Sequence, residues 1–249
     1  MNPTLFTRRY GQVFLKDRNV ARFEVLLLEL PPESRILEIG PGEGILTKIL
    51  LDSGYTVTCV ESDHRFVEIL REKFPSEIND RRLNIEKMDF LSHEKATFDG
   101  IIGNIPYHIS SGIIFKLNDF EFDKAVLMVQ EEFSDRLIAR PNSRDYARIS
   151  INAQLRYEIT AVRKVSREKF HPKPKVNSEI IMLKLRNTYG EDLLSKVDNI
   201  LRTVFSNRRK KLGTILNNVP EKFHDMRPGE LAPEEYVELT YCLQNSFPE

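Results

Sequence analysis

Short apolar segments alternate with segments of helical spacing from residue 20 to about residue 140, and this alternation limits the folds open to the chain. The pattern is typical of a parallel β-sheet whose faces are covered by helices. Strands are predicted in this part at residues 34–40, 55–61, 83–90 and 98–107. We therefore expect an open, mostly parallel α/β sheet in the first part of the chain.

The alternation stops after a further predicted strand at residues 124–133. Two long strands are predicted next, over residues 148–165 and 176–186, so we expect the sheet to end with antiparallel strands. Beyond them only helical spacing remains, which indicates three or four short helices. We predict two domains: residues 1–186, which contain the sheet, and residues 187–249, a small all-helical domain.

The composition fits a globular protein, with 41% hydrophobic and 30% charged residues among 249. No apolar run approaches the ~20 residues that a membrane span needs, and the first residues lack the apolar core of a signal peptide. The two cysteines, Cys59 and Cys242, form no C-x-x-C pair, which suits a reducing cytoplasm and predicts no metal site. We expect a cytoplasmic protein, and a monomer because the sequence contains no heptad pattern.

The glycine-rich segment EIGPGEG (38–44) follows the first predicted strand. Glycine lets the backbone approach a ligand closely and turn sharply into the next helix. The spacing is G-x-G-x-G, unlike the G-x-G-x-x-G of dinucleotide-binding folds, and Glu38 and Glu43 make the loop acidic. An acidic loop suits a cationic ligand with an ammonium and a sulfonium better than a pyrophosphate. The sequence therefore predicts S-adenosyl-L-methionine as the cofactor, bound at Gly40 and Gly42.

Two acidic residues end the next two predicted strands. Glu61 stands 21 positions after Gly40, where a carboxylate can accept hydrogen bonds from both hydroxyls of a ribose. Asp89 ends the following strand, where it can accept a hydrogen bond from the adenine amine of the cofactor. Ligands of open α/β sheets bind outside the carboxyl ends of the strands. The loop, Glu61 and Asp89 thus predict one site for a nucleoside cofactor.

The segment NIPY (104–107) comes directly after GIIG (100–103), at the end of the fourth predicted strand, and carries the predicted chemistry. An adenine amine is a weak nucleophile because its lone pair is delocalised into the ring. The side-chain carbonyl of Asn104 and the backbone carbonyl of Ile105 can accept hydrogen bonds from its two N–H groups, which aims the lone pair at a methyl donor. Pro106 stiffens the turn, and Tyr107 offers a ring on which a base can stack. The alkylated amine can lose its proton to water, so no ionisable base is predicted.

A target base has to leave its stack to reach such a site, which requires a second ring opposite Tyr107. Phe170, in the proline-containing segment FHPKPKV (170–176), is the predicted partner. The formal net charge is zero, so contact with RNA has to rest on local basic clusters. The basic side chains predicted to bind RNA lie near Phe170 and in a later run, and they are Lys173, Lys175, Arg208, Arg209, Lys210 and Lys211.

Eight motifs stand along the chain in the order typical of one known family. They are GQVFL (11–15), EIGPGEG (38–44), Glu61, MDF (88–90), NIPYHISS (104–111), YARIS (146–150), FHPKPKVNS (170–178) and FSNRRKKL (205–212). Together they resemble the ribosomal RNA adenine N6,N6-dimethyltransferase family. The resemblance implies a Rossmann-like catalytic domain followed by a small helical domain that contacts RNA and the ribosome. It also implies dimethylation of two adjacent adenosines near the 3′ end of small-subunit ribosomal RNA, late in assembly of that subunit.

The resemblance also assigns residues by position. The implied cofactor contacts are Val13, Leu15, Gly40, Glu61, Asp89 and Asn104. Asn104 would also hold the target amine, with Tyr107 and Phe170 stacking the target base. Val13 departs from the family pattern, which usually has Asn or His at this position. A contact through its side chain is therefore not expected, and only a contact through its backbone is.

Three other functions have to be weighed against this one. A related family methylates a large-subunit rRNA adenine and confers antibiotic resistance, but the segments 170–176 and 205–212 look more like the small-subunit enzymes. DNA adenine methyltransferases more often show a D/N-P-P-Y turn and a larger recognition region. The third is a non-catalytic assembly factor or an RNA-binding transcription factor built on the same scaffold, which leaves room for a binding role beside the enzymatic one. Such a protein would not need the complete set of Gly40, Glu61, Asp89 and Asn104.

Overall fold

The computed structural model describes residues 13–245, which form two compact units. The first unit contains the residues up to 134 together with 160–184, and the second contains 135–159 together with the residues from 185 onward. The boundary that we predicted between residues 186 and 187 is therefore incomplete. The segment 135–159 belongs to the second unit because its helix packs against two of the helices near the end of the chain.

The first unit is built around a seven-stranded sheet. Its strands are β2 (Arg35–Ile39), β3 (Thr56–Glu61), β4 (Leu83–Lys87), β6 (Gly100–Asn104), β8 (Lys124–Gln130), β9 (Tyr157–Val165) and β11 (Ser178–Leu185). Their order across the sheet is β4-β3-β2-β6-β8-β11-β9. The pairs from β4 to β8 are parallel, and β11 is antiparallel to β8. The predicted α/β class with an antiparallel end is confirmed.

Four short strands form two smaller pairs. Strand β1 (Phe14–Leu15) is antiparallel to β10 (Phe170–His171), and β5 (Ala96–Thr97) is parallel to β7 (Phe120–Glu121). In the first pair Leu15 faces Phe170, so a residue near the start of the described chain lies beside the predicted base-stacking loop.

The helices of the first part alternate with the parallel strands, as predicted. They are α1 (Arg18–Leu26), α2 (Ile45–Asp52), α3 (His64–Lys73), α4 (Pro75–Asn79), α5 (Ser110–Lys116) and α6 (Glu131–Leu137). Helix α1 ends at Leu26, and Glu29 then adopts a left-handed φ of 50°. The core of the first unit is formed by apolar residues of α1, α2 and the strands, among them Val25, Leu50 and Val126.

Residues 148–156 form helix α7 (Arg148–Arg156), so the long strand predicted over 148–165 is wrong in its first half. The apolar residues there alternate with period two, as in Ile149, Ile151 and Ala153. Seven of the nine helical residues are buried. A helix buried on nearly all sides needs no solvent-facing polar stripe, and that stripe is the feature that normally identifies a helix in a sequence. The remaining half of the predicted strand is β9.

The second unit is built from helices, as predicted. After α7 these are α8 (Glu191–Phe205), α9 (Leu212–Ile215), α10 (Glu221–His224) and α11 (Pro233–Asn245). A separate core holds them together, with Tyr146 and Tyr236 fully buried in it. Both phenols donate to backbone carbonyls, at 2.8 Å to Leu231 and 2.7 Å to Pro228. No helix within residues 13–245 is both long enough and apolar enough to cross a membrane.

Candidate active site

An open cleft of about 1670 Å³ lies at the carboxyl ends of the parallel strands of the first unit. Every residue that the sequence predicted for cofactor binding or catalysis lines it. These residues are Val13, Leu15, Gly40, Gly42, Glu61, Asp89, Asn104, Ile105, Pro106, Tyr107 and Phe170. The structure therefore brings both predicted halves of the site, the glycine loop and the N-I-P-Y turn, into one cavity.

The glycine loop between β2 and α2 is strongly bent. Gly40, Gly42 and Gly44 have φ angles of 65°, 53° and 80°, a region that favours glycine. A methyl group added at Gly40 would meet no atom within 4 Å, so the loop faces open space there. The bend and the free volume beside Gly40 fit a ligand that packs directly against the backbone.

Glu61 is held by the same loop. Its carboxylate accepts hydrogen bonds from the backbone N–H of Gly42 at 3.2 Å and from that of Asp63 at 2.8 Å. The side chain is largely buried, and this burial raises the pKa of the Glu61 carboxyl. A buried carboxylate at the end of β3 is well placed to accept hydrogen bonds from ligand hydroxyls, because the loop fixes its orientation.

Glu38 does not belong to the cleft wall, contrary to our interpretation of the loop as acidic on both sides. Its side chain is 1% exposed and accepts a hydrogen bond from the Thr47 hydroxyl at 2.6 Å and from the Cys59 thiol at 3.3 Å. Burial raises the pKa of Glu38 to about 7. Glu38 thus joins β2 to α2 beneath the glycine loop, and of the two loop acids only Glu43 lines the cleft.

Asp89 lies where the sequence placed it, just after β4 on the rim of the cleft. Its carboxylate accepts a hydrogen bond from the Leu91 N–H at 3.0 Å and caps a short 3-10 helix, Phe90–Ser92. This cap fixes the carboxylate at the cleft, so a structural role and a ligand contact are compatible at Asp89.

Asn104 is the most informative residue of the site. Its side-chain oxygen is buried and has no hydrogen-bond partner among residues 13–245. The preceding Gly103 brings β6 close to β2, because a methyl group at Gly103 would come within 2.6 Å of the Ile39 carbonyl oxygen. The glycine directly before the N-I-P-Y turn is visible in the sequence, but its close contact with β2 was not predicted. The close approach places Asn104 beside the glycine loop.

The N-I-P-Y turn is anchored on both sides. The Ile105 N–H donates to the Met128 carbonyl of β8 at 3.0 Å, and the Ile109 N–H donates to the Pro106 carbonyl at 3.1 Å. The Tyr107 hydroxyl shares a hydrogen bond of 2.8 Å with the hydroxyl of Ser178. Ser178 also lines the cleft, and nothing in the sequence connected these two residues, which lie 71 positions apart.

Phe170 lies in β10 on the same cleft, with 7% of its surface exposed. The adjacent backbone is tied to the start of α1, since the Lys16 N–H donates to the Lys169 carbonyl at 2.8 Å. An ion pair of 2.6 Å between Lys169 and Asp17 reinforces this connection. The stacking role predicted for Phe170 remains a prediction, and it would use the small part of the ring that faces the cleft.

The predicted RNA-binding residues of the first unit lie on the loop after β10. Lys173 forms an ion pair with Glu168, and the Lys175 carbonyl accepts a hydrogen bond from the Arg167 guanidinium at 3.1 Å. Both lysine side chains are exposed. The loop therefore presents its basic groups to solvent while its backbone is held across its base.

In the second unit the basic run forms an exposed turn between α8 and α9. Arg208 donates hydrogen bonds of 3.4 Å to the carbonyls of Ser143 and Arg144. Lys211 forms an ion pair of 3.0 Å with Asp225. The four residues predicted to contact RNA here, Arg208, Arg209, Lys210 and Lys211, are all exposed. Two of them are thus already engaged by the protein.

Known proteins resemble most of the chain. A sequence model of the family described as ribosomal RNA adenine dimethylase matches residues 4–241. The ribosomal RNA small subunit methyltransferase A of Malacoplasma penetrans is 37% identical over 223 residues, covering 89% of this chain and 80% of that protein. A crystal structure of a dimethyladenosine transferase from Plasmodium falciparum is similar with a TM-score of 0.80 and 27% identity, covering 93% and 98% of the two chains. The 23S rRNA methyltransferase ErmE is similar with a TM-score of 0.70, also at 27% identity, covering 93% and 99%.

Proposed function

Since this chain belongs to the ribosomal RNA adenine dimethylase family, we propose that it dimethylates the N6 amines of two adjacent adenosines near the 3′ end of small-subunit ribosomal RNA. We propose that it acts late in assembly of the small subunit, as a cytoplasmic monomer. The names of the curated relatives support the choice of the small subunit.

One observation carries the proposed reaction: the buried and unpartnered oxygen of Asn104. A buried acceptor without a donor is unfavourable, and proteins rarely leave one unless a ligand or water completes it. The amine of a target adenine supplies such a donor. We therefore assign Asn104 to the target amine, with the backbone carbonyl of Ile105 as the second acceptor.

The cofactor, S-adenosylmethionine, supplies an electrophilic methyl group on a positively charged sulfur. The glycine loop offers it free volume at Gly40, and Glu61 offers carboxylate oxygens to its ribose hydroxyls. Asp89 is assigned to its adenine amine. We assign further contacts to Gly42, to Asn104 and to the backbone of Val13 and Leu15, which all line the cleft.

The chain contributes to methyl transfer by position and electrostatics. Two acceptors that hold both N–H groups aim the lone pair of the amine at the methyl group. Tyr107 and Phe170 hold the base between them, and Pro106 fixes the turn that carries Tyr107. The proton leaves to solvent through the open cleft. After the first methylation a single N–H remains, so in the second round one acceptor, Asn104 or Ile105, is enough.

We propose that exposed cations of both units bind RNA phosphates: Lys173 and Lys175 in the first, and Arg208, Arg209, Lys210 and Lys211 in the second. Arg209 and Lys210 stand at the tip of the turn that Arg208 attaches to the backbone of residues 143 and 144. Arg208 would then hold the turn as well as contact RNA. Phosphate contacts of this kind supply affinity without sequence preference.

Replacing Arg209 and Lys210 together by alanine is expected to weaken RNA binding, most strongly at low ionic strength. The slope of log affinity against log salt should fall by about two, because each lost phosphate contact removes about one unit. The matched control replaces Lys196 and Lys222, two exposed lysines of the same unit that pair with Asp192 and Glu238. Equal changes in slope for both variants would show that net charge alone, and not this turn, sets the affinity.

The proposed substrate is tested by methyl transfer from labelled S-adenosylmethionine to under-methylated small subunits, with the modified nucleoside identified by mass spectrometry. We expect dimethyladenosine at two adjacent positions near the 3′ end of the small-subunit RNA. Label in large-subunit RNA alone would instead favour 23S rRNA methylation, the activity of the similar protein ErmE. Label in neither RNA would leave an RNA-binding assembly factor as the better account.

A further inference from the structure

The hydrogen bond between Tyr107 and Ser178 joins two distant parts of the first unit at the wall of the cleft. Tyr107 begins a 3-10 helix directly after Pro106, and Ser178 is the first residue of β11. Their hydroxyl oxygens are 2.8 Å apart, and Ser178 is fully buried. The ring of Tyr107 is therefore held at its backbone end by the turn and at its hydroxyl end by Ser178.

Ser178 is itself firmly placed. In the antiparallel pairing of β11 with β8 it lies opposite Gln130. The residue before it, Asn177, accepts the Glu131 N–H on its backbone carbonyl at 3.1 Å and the Arg167 N–H on its side chain at 3.3 Å. These bonds fix the end of the loop that begins at Phe170. The residue that holds the Tyr107 ring is therefore in the same short segment as the second predicted stacking ring.

A ring that is held at both ends cannot rotate freely about its side-chain torsions. For a stacking surface this matters, because a base that stacks on a rotating ring loses the fixed angle between its amine and the methyl donor. Misplacement of a reacting group by about 1 Å can lower a rate by as much as 10²-fold. Side chains that contact a substrate hold it in the reactive geometry only when packing and further hydrogen bonds fix their own rotamers.

We propose that Ser178 is a positioning residue for methyl transfer: its hydroxyl fixes the plane of the Tyr107 ring on which the target adenine stacks. The inference rests on the proposed stacking role of Tyr107. It assigns no contact between Ser178 and the substrate. Ser178 acts through Tyr107, so removing either hydroxyl has the same consequence.

The test is a double-mutant cycle with Tyr107→Phe, Ser178→Ala and the combined variant, assayed on the rRNA that the wild-type enzyme methylates. Each single variant is expected to lower kcat about tenfold, and the combined variant should be no slower than either single one. The KM for S-adenosylmethionine should stay unchanged. Tyr107→Ala, which removes the whole ring, should be much slower than Tyr107→Phe.

Two further measurements separate positioning from a structural role. Ser134 is also fully buried, and its hydroxyl has no partner among the described residues, so Ser134→Ala is a matched control that should leave kcat unchanged. A 2-aminopurine at the target position should be quenched by stacking in the wild type and less quenched in Ser178→Ala. Additive losses in the cycle, or unchanged quenching, would overturn the proposal. The wild-type assay reports separately on which rRNA is the substrate.

Discussion

Substitution of Asn104 by alanine is expected to lower kcat for methyl transfer by about 10²–10³-fold, the loss typical when one preorganised polar group is removed from a reaction centre. RNA affinity should remain nearly unchanged, because the proposed phosphate contacts lie elsewhere. The physical reason is that the Asn104 oxygen, which has no partner within residues 13–245, is the acceptor that we assign to one N–H of the target amine. Without it the amine keeps only the Ile105 carbonyl as an acceptor.

Stability offers an independent check on this role. Because the Asn104 oxygen makes no hydrogen bond in the described chain, removing it leaves no buried donor without a partner. We expect the Tm of Asn104→Ala to be equal to that of the wild type or higher. An acceptor without a donor destabilises the folded protein when the substrate is absent. Removing that acceptor therefore lowers activity but does not lower stability.

The informative companion variant is Asn104→Asp, which keeps an acceptor oxygen at nearly the same place. It should retain more activity than Asn104→Ala in single-turnover assays with saturating RNA. Parallel measurements of RNA binding and thermal unfolding complete the comparison. An equal loss of transfer and RNA binding in Asn104→Ala, or a large fall in Tm, would contradict the role assigned to this residue.

The sequence predicted where the site lies because the relevant features are local. Each of the predicted site residues lies at the carboxyl end of its own strand or within two residues after it: Gly40, Glu61, Asp89 and Asn104. In a parallel sheet the carboxyl ends of the strands meet at one edge, so identifying the strands was sufficient to place these residues together. The roles of these residues stay predictions, whereas their common position in one cleft is a property of the structure.

Helix α7 could not be identified from its pattern. Its apolar residues alternate as in a strand, and burial on nearly all sides leaves no polar face to reveal the helical period. The surrounding helices decide the outcome, since α7 packs against α8 and α11 in the core of the second unit. Tertiary packing of this kind overrides a local pattern.

Contacts between residues distant in sequence could not be predicted either. Tyr107 meets Ser178, and Arg208 reaches the carbonyl of Ser143, although no spacing rule connects either pair. Glu38 was interpreted from its position in the glycine loop as part of an acidic wall. The alternation of side chains along β2 directs Glu38 into the core, where the Thr47 hydroxyl and the Cys59 thiol donate hydrogen bonds to its carboxylate.

Replacing Glu24 by methionine is expected to stabilise the protein. Glu24 lies in α1, is fully buried, and neither of its carboxyl oxygens has a hydrogen-bond partner among residues 13–245. A buried polar group without a partner costs about 1–3 kcal/mol. Methionine is apolar and of similar length, so it should fill the same space without that cost. In a protein of this size each 1 kcal/mol raises the Tm by about 2–4 °C.

The stabilisation should grow with pH. Burial, and secondarily the charge of Glu38, raises the pKa of Glu24 well above its usual value of 4.5, and burial raises the pKa of Glu38 to about 7. These two carboxyls therefore hold their protons to higher pH in the folded chain than in the unfolded chain. Their contribution to stability is greatest at acidic pH and falls as the pH rises from about 4.5 toward their raised pKa values. Removing Glu24 removes its share of that fall.

Thermal unfolding of the wild type, Glu24→Met and Glu24→Gln between pH 5 and pH 8 separates the two effects. Both variants should show a weaker dependence of Tm on pH, because neither carries the titrating group. Glu24→Met should in addition be the more stable of the two at every pH, because glutamine keeps a buried polar group. A Tm of Glu24→Met below that of the wild type at pH 8 would mean that the carboxyl is satisfied by a bound water and contributes to stability.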